Sequence, residues 1–85
     1  LFRRLQVRYL KIDGSFIRGL GNDSVNRALV RGMIEMAHTL GMAVVAEYID
    51  TAETVSWLTD QHCDFGEGWF LGRPRPIEEL LPPTM

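Results

Sequence analysis

The chain has 85 residues, with 9 Lys and Arg against 11 Asp and Glu, so a formal net charge of -2 gives it no bulk attraction to nucleic acid or to a membrane surface. A content of 46% hydrophobic and 24% charged residues is that of a globular protein and excludes a disordered chain. The length lies below the usual domain size of about 100 to 150 residues, so the core is thin. We therefore expect the chain to need further protein around it for stability.

Cys63 is the only cysteine, which excludes an internal disulfide and the paired-cysteine spacing of a zinc site. A lone cysteine is typical of a reducing compartment. No run approaches the roughly 18 consecutive apolar residues of a membrane-spanning helix. The stretch around Arg3 and Arg4 lacks the apolar core of a signal peptide. We therefore expect a cytoplasmic protein with no membrane segment in this chain.

The first predicted element is a strand over Arg8–Asp13, which is rich in strand-forming residues. Alternation along this strand places Leu10 and Ile12 on one face. Lys11 and Asp13 then share the opposite face, which is either a sheet surface or a barrel interior. A lysine buried there needs an anionic partner, whereas a lysine on an edge strand reaches water; both readings stay open.

The second predicted element is a helix over Val25–Leu40. Any of residues 22 to 24 can cap its start, and Gly41 can end it in the left-handed conformation. His38 falls on its polar face, where we expect a solvated side chain. Apolar residues at helical spacing predict the stripe that packs on the core: Val25, Leu29, Met33, Met36 and Leu40.

A nearly continuous apolar strand is predicted next, over Ala43–Glu47, with the pattern of a parallel strand covered on both faces. Asp50 and Glu53 have capping-box spacing ahead of another helix. That helix presents Val55 and Leu58 to the core.

The last part of the chain predicts a short strand and a loop over Cys63–Phe70, a break at Arg73–Pro76, and a short helix over Ile77–Leu81. The order of elements gives three consecutive β/α units with parallel strands and right-handed crossovers, so the fold class is α/β. These units fit either a small open sheet or three of the eight units of a (β/α)8 barrel.

Acidic residues follow the predicted strands at the positions where parallel α/β proteins bind ligands. Asp13 and Glu47 each end a strand, and two such carboxylates can share Mg²⁺ or Mn²⁺. An acid at a strand end is as often a helix cap or a loop acceptor. Glu67 can bring a third carboxylate to the same cleft, where Gly66 and Gly68 would allow a ligand to approach closely.

Four segments resemble, in order and spacing, the C-terminal part of the bacterial EAL domain, the cyclic di-GMP phosphodiesterase family. They are Tyr9–Asp13, Val44–Glu47, Gly66–Phe70 and Arg73–Pro74. The resemblance covers essentially the whole chain. It implies that residues 1–85 are a C-terminal fragment of a single EAL domain, forming the last three units of a (β/α)8 TIM-like barrel.

The resemblance also implies a function: hydrolysis of one phosphodiester bond of cyclic di-GMP to linear pGpG, with Mg²⁺ or Mn²⁺ activating water. Lys11 matches the family's catalytic lysine, and Glu47 matches an acidic metal ligand. Asp13, Asp50 and Glu67 are then expected to contact substrate or to support the metal ligands.

The chain departs from the family pattern at four positions. Where the family usually reads AEGVET, residues 46–51 carry Tyr48 in place of glycine and Asp50 in place of glutamate. Glu67 stands where glutamine is usual, and Trp69 where tyrosine is usual. Tyr48 adds bulk beside the predicted metal ligand, and Glu67 adds negative charge where a phosphate belongs.

Three functions follow from these observations. The first is a segment of an active cyclic di-GMP phosphodiesterase; because the family's other metal ligands precede Leu1, we expect the isolated chain to be inactive and to bind no metal tightly. The alternative is a degenerate EAL module that binds cyclic di-GMP or a protein partner without hydrolysis, and the third is a structural or oligomerisation piece.

Three strands leave two open edges, which favours a homo-oligomer. The resemblance also implies GGDEF or sensory domains as partners in the complete protein.

Overall fold

The computed structural model describes residues 7–68 and 73–80. These residues form one sheet in the order β1-β2-β3-β4, with β1 Arg8–Ile12, β2 Met42–Ile49, β3 Phe65–Gly68 and β4 Arg75–Pro76. The helices are α1 Gly14–Ile17, α2 Ser24–Thr39 and α3 Ala52–Asp60, with 3-10 turns at Leu20–Asn22 and Ile77–Leu80. In the described ranges, no helix is long and apolar enough to cross a membrane.

The sheet confirms the predicted α/β class. Strands β1, β2 and β3 pair in parallel, each crossover carrying a helix, whereas β4 pairs antiparallel with β3. The two-residue strand β4 was not predicted, because Pro76 had been assigned to the first turn of a helix. The 3-10 turn at Ile77–Leu80 stands in place of that helix, and its predicted last residue, Leu81, lies outside the described residues.

The predicted alternation of β1 is also confirmed. Ile12 is 1% exposed and packs under the helices, while Lys11 is exposed on the opposite face. The strand ends one residue earlier than predicted because the Asp13 carboxylate accepts the backbone N–H of Ser15 and begins α1 there.

The predicted core stripe of α2 is wrong. The helix buries Val30, Ile34 and Ala37 instead. Of the predicted stripe, Met33 packs against the core, but the other members are exposed: Val25 68%, Leu29 48%, Met36 54% and Leu40 66%. These exposed residues lie about a third of a turn from the buried row.

Two polar contacts join α2 to α3 and to the residue that follows it. Nε of Arg31 donates to the side-chain carbonyl of Gln61 at 3.1 Å, and the guanidinium lies 5.8 Å from the centre of the Trp57 ring. Arg31 thus lies on the flank of α2 that faces α3. The exposed apolar row lies on another side of the helix.

Asp23 caps α2, at one of the three predicted positions, by accepting the N–H of Asn26 at 3.0 Å. Gly41 has the predicted left-handed backbone, with a φ of +73°. His38 is exposed on the polar face, as expected, and its Nε2 also lies 2.7 Å from Oδ2 of Asp64. The same oxygen accepts the backbone N–H of Val44 at 2.8 Å and so joins the end of α2 to the start of β2.

The predicted capping box of α3 is wrong by one residue. Thr51 caps the helix, and its hydroxyl oxygen accepts the N–H of Thr54 at 3.1 Å. Strand β2 runs two residues beyond its predicted end and buries Ile49, so the turn into α3 begins later. Asp50 therefore stays exposed ahead of the cap.

Candidate functional site

The candidate site lies where the parallel strands end, on the sheet face opposite the helices. Lys11 of β1 pairs in register with Val45 of β2, which pairs with Phe65 of β3. Because side chains alternate along a strand, Glu47 and Glu67 follow two residues later on the same face. Three neighbouring strands thus bring one lysine and two carboxyl groups to one edge of the sheet.

Glu47 is the centre of this cluster. Burial raises its pKa first, and a hydrogen bond to the Glu67 carboxyl and the negative charge of Glu67 raise it further. The positive charge of Lys11 lowers the pKa of Glu47, and the negative charge of Asp13 raises it. Three of the other four predicted site residues, Lys11, Asp13 and Glu67, therefore act electrostatically on Glu47.

Asp13 plays a structural part in this cluster. It accepts both the backbone N–H and the hydroxyl of Ser15, and these hydrogen bonds lower the pKa of the Asp13 carboxyl. The group is therefore held ionised at the start of α1 while it stays exposed. The Asp13 side chain thus forms a helix cap, which is one of the two roles that the sequence allowed for it.

Asp50, the fifth predicted residue, lies apart from the cluster. It lines a cavity of about 220 Å³ together with Arg18, Tyr48, Ile49 and Gly68. No effect of Asp50 on Glu47 accompanies the effects of the other carboxyl groups. The structure therefore separates Asp50 from the carboxyl pair and joins it to a second feature at the rim of the sheet.

An extra residue in β2 shapes the site. Ala46 pairs with Gly66 and Ile49 with Gly68, so β2 advances three residues while β3 advances two. This β-bulge lets both Ala46 and Ile49 face the core. Glu47 and Tyr48 are left outside the core between them.

The two glycines beside Glu67 pack closely against β2 and the core, and Gly68 also lines a cavity. A Cβ on Gly66 would lie 2.5 Å from Cδ1 of Ile49, and a Cβ on Gly68 would lie 2.1 Å from the Ile49 carbonyl oxygen. Glycine is required at position 68 because the Ile49 backbone lies against it, whereas a Cβ on Gly66 would meet only the ends of core side chains. The close approach at Gly68 holds β3, with Glu67, against the strand that carries Glu47.

Sequence reasoning missed two cations near the site. Arg18 lies over the Tyr48 ring, with its guanidinium carbon 5.5 Å from the ring centre, and no sequence pattern signals this contact. Arg73 and Lys11 both line a cavity of about 310 Å³ on the open face of the sheet. The Arg73–Pro74 segment is the sequence feature that could have indicated a role for Arg73 there. Trp69, the remaining departure from the family pattern, lies outside the described residues.

The donor set fits part of a metal site. Among residues 7–68 and 73–80, no group of three or more His, Cys, Asp or Glu side chains could hold a metal ion. Glu47 and Glu67 nevertheless supply adjacent carboxylate oxygens, the ligands that Mg²⁺ and Mn²⁺ prefer. The two carboxyl groups therefore fit a divalent-cation site only in part, because a complete site would need further ligands.

The chain is similar to known proteins over most of its length. The family model of the EAL domain matches residues 1–74. The bifunctional diguanylate cyclase/cyclic di-GMP phosphodiesterase MucR of Pseudomonas aeruginosa is 39% identical over 79 residues, which cover 93% of this chain and 12% of MucR. This chain likewise spans 12% and 15% of two other relatives.

Solved structures give the same match. A complex of the MucR phosphodiesterase with cyclic di-GMP has a TM-score of 0.71 at 39% identity, covering 87% of this chain and 30% of that one. A manganese and cyclic di-GMP complex of BlrP1 from Klebsiella pneumoniae has a TM-score of 0.71 at 28% identity, covering 81% of this chain and 18% of that one. The mostly parallel sheet thus aligns with EAL structures.

Proposed function

Because this chain belongs to the EAL-domain family, we propose that it forms part of a domain that binds cyclic di-GMP and hydrolyses it to pGpG. The observation that carries the proposal is the cluster of Lys11, Glu47 and Glu67 at the carboxyl ends of three neighbouring parallel strands. The chain spans 12% of MucR, so the activity is proposed for the complete domain.

Glu47 would hold a divalent cation, with Glu67 beside it and further ligands from outside this chain. Such an ion, when bound, lowers the pKa of a coordinated water enough to form hydroxide near neutral pH. The manganese complex of BlrP1 supports Mn²⁺ or Mg²⁺ as the ion. Lys11 favours the ionised form of Glu47 and so favours its use as a ligand.

Lys11 is the proposed catalytic residue of this chain. Its ammonium group is exposed on the open face of the sheet and lines the same cavity as Arg73. Two cations in a cavity with apolar walls suit a phosphate group. Lys11 would stabilise the negative charge that grows on the phosphate oxygens as the bond to the leaving oxygen breaks.

One observation favours the alternative, a module that binds cyclic di-GMP or a protein partner without hydrolysing the nucleotide. Glu67 hydrogen-bonds to Glu47 and raises the pKa of that group, which disfavours the ionised form that a metal needs. Its negative charge also opposes a phosphate at this place. Binding would then depend on contacts outside the carboxyl pair.

The two functions are separated by measuring pGpG formation, with the purified protein at its full natural length, cyclic di-GMP and Mn²⁺. For hydrolysis, Lys11→Ala should mainly lower kcat, and Glu47→Gln should raise the Mn²⁺ concentration needed for half-maximal rate. Arg8→Ala, at the opposite end of β1, is the control and should leave the rate unchanged.

Three outcomes of this experiment decide between the assignments. Unchanged rates in both site variants would contradict the roles of Lys11 and Glu47. Cyclic di-GMP binding without pGpG formation would select the alternative. We expect residues 1–85 alone to form no pGpG; Mn²⁺-dependent product that Lys11→Ala abolishes would overturn that expectation.

We also propose self-association and further domains. The apolar row of Val25, Leu29, Met36 and Leu40 is exposed on α2, and β1 lies at an edge of the described sheet. Both features favour contact with a second copy.

The bifunctional name of MucR supports a diguanylate cyclase domain in the complete protein. Cys63, buried as a free thiol, supports the cytoplasm as its location.

A further inference from the structure

Tyr48 holds a backbone conformation that favours glycine. Its φ is +58°, and among the described residues only His62, with a φ of +64°, shares a positive φ without being glycine. His62 follows the C-cap of α3, where a left-handed residue is a common way to end a helix. Tyr48 instead lies within β2. A bulky residue in this conformation persists only where surrounding contacts fix it, and such residues cluster at functional sites.

The contacts that fix Tyr48 come from the segment that follows β1. A Cβ on Gly14 would lie 2.8 Å from both Cβ and Cγ of Tyr48, so the tyrosine packs directly on the Gly14 backbone. The guanidinium carbon of Arg18 lies 5.5 Å from the centre of the ring, as a cation–π contact. Tyr48 is nevertheless 60% exposed and contributes little to the core. Its side chain therefore acts mainly as an anchor on this segment.

Strand pairing leaves a gap at the position of Glu47. On one side of β2, the register with β1 ends at the pair of Ala46 and Ile12. On the other side, the register with β3 passes from Ala46 directly to Ile49. Within the described residues, Glu47 and Tyr48 thus have no register partner in either neighbouring strand. The two ladders alone do not fix the direction of this part of the chain.

The anchored tyrosine can fix what the ladders leave free. The peptide group between Glu47 and Tyr48 is planar and rigid, so a fixed position of Tyr48 also restricts the Cα of Glu47. A carboxylate that ligates a cation must be held within about 0.5 Å of its working position. The same anchor reaches from β2 to Gly14, three residues after Lys11. It therefore connects the strands that carry Glu47 and Lys11 beyond their last register pair.

We propose that Tyr48 is a positioning residue, whose anchored ring holds the Glu47 carboxyl group in place beside Lys11 and Glu67. This inference rests on the proposed function, because that function makes Glu47 a ligand of a divalent cation. In this arrangement Tyr48 contacts neither the cation nor the substrate and acts only through Glu47. Arg18 in turn acts only through the Tyr48 ring, so its removal should matter only while the ring is present.

The test is a calorimetric titration of the metal-free, natural-length protein with Mn²⁺ in the absence of nucleotide. Tyr48→Asn removes the ring, and asparagine tolerates a positive φ. This variant should bind Mn²⁺ about tenfold more weakly, because it loses a group that orients a metal ligand. Tyr48→Phe keeps the ring and should bind as wild type does. Arg18→Met alone should weaken binding about threefold, but it should add no loss when combined with Tyr48→Asn.

Rates of pGpG formation give a second readout, one that a purely structural role would not move. In Tyr48→Asn, the Mn²⁺ concentration for half-maximal rate should rise about tenfold, while KM for cyclic di-GMP at saturating Mn²⁺ should keep its wild-type value. Arg8→Met removes an exposed arginine at the far end of β1 and should leave both quantities unchanged. The urea midpoint of each variant checks its fold. If Tyr48→Asn lowers that midpoint, Arg18→Met decides the outcome, because it leaves β2 unaltered.

The outcomes separate this inference from the proposed function. If Glu47→Gln weakens Mn²⁺ binding but Tyr48→Asn and Arg18→Met do not, the inference is overturned and the proposed function stands. A Tyr48→Phe variant that binds Mn²⁺ as weakly as Tyr48→Asn also overturns it, because the ring is then not the anchor. If wild type forms no pGpG, the proposed hydrolysis is overturned, and the Mn²⁺ titration still decides the inference. If Glu47→Gln leaves Mn²⁺ binding unchanged, Glu47 is not a ligand and the inference is overturned with that role.

Discussion

Gly68 marks the closest approach between β2 and β3, and adding one methyl group there tests the arrangement that brings Glu67 beside Glu47. A Cβ at this position would lie 2.1 Å from the carbonyl oxygen and 3.1 Å from the carbonyl carbon of Ile49. Both are backbone atoms, so no change of side-chain rotamer relieves the contact. Gly68→Ala must therefore push the two strands apart.

The size of the effect follows from that distance. Cβ atoms in folded proteins essentially never come within 3.0 Å of another heavy atom, so the strands must separate by close to an ångström. Overpacking of an interior costs about 1 to 3 kcal/mol. Because the added Cβ meets backbone atoms that cannot rotate away, we expect a loss near the upper end, about 3 kcal/mol of unfolding free energy.

Urea denaturation followed by circular dichroism measures this loss. Gly32→Ala is the matched control, since a Cβ on Gly32 meets no atom within 4 Å and the residue lies inside α2. Alanine in a helix interior is about 1 kcal/mol better than glycine, so this control should gain stability. A Gly68→Ala urea midpoint at or above the wild-type value would refute the close approach of the strands at Ile49.

Three other predictions concern the thiol, the exposed helix face and the carboxyl pair. Burial raises the pKa of Cys63 from an ordinary 9.0 to about 12. Between those pH values the unfolded chain releases a proton that the folded chain keeps. Stability should therefore fall by about 1.4 kcal/mol per pH unit, and Cys63→Ala should flatten this dependence in urea melts. Leu29→Glu combined with Met36→Glu should lower the molar mass measured by light scattering without lowering the melting temperature, because both side chains are already exposed; an unchanged mass would exclude self-association through this face. Glu67→Gln should increase cyclic di-GMP affinity or turnover, since the carboxylate repels phosphate, whereas loss of both would give Glu67 a required role.

The strands and their acidic ends could be predicted because both depend on local rules. Period-two alternation correctly placed Ile12 in the core and Lys11 on the other face. The meeting of parallel strands at one edge correctly brought Asp13 and Glu67 within electrostatic range of Glu47. Neither inference needed any knowledge of distant contacts.

The buried face of α2 could not be predicted from spacing, because the helix carries two apolar rows. The row through Val30 and Ile34 has the same helical period as the row through Leu29 and Met36. The choice between them depends on how α2 packs against the core formed by the sheet and the other helices, where Val30, Ile34 and Ala37 are buried. Local periodicity does not contain that information.

The conformation of Tyr48 and the cap of α3 were missed for a related reason. Both depend on the register of β2 against β3, which the glycines on β3 determine through contacts with Ile49. A tyrosine also gives no sequence signal for a positive φ. Once the register is known, the buried Ile49 places Thr51, rather than Asp50, at the start of the helix.

The β-bulge between Ala46 and Ile49 has a consequence for how this segment can change during evolution. Deleting Tyr48 would leave Ile49 two residues after Ala46, so simple alternation would return with both side chains still facing the core. The bulge can therefore be lost by one deletion without exchanging the core and surface faces of β2. A one-residue alignment gap within this segment would mark a relative that lacks the bulge and whose core positions are unchanged.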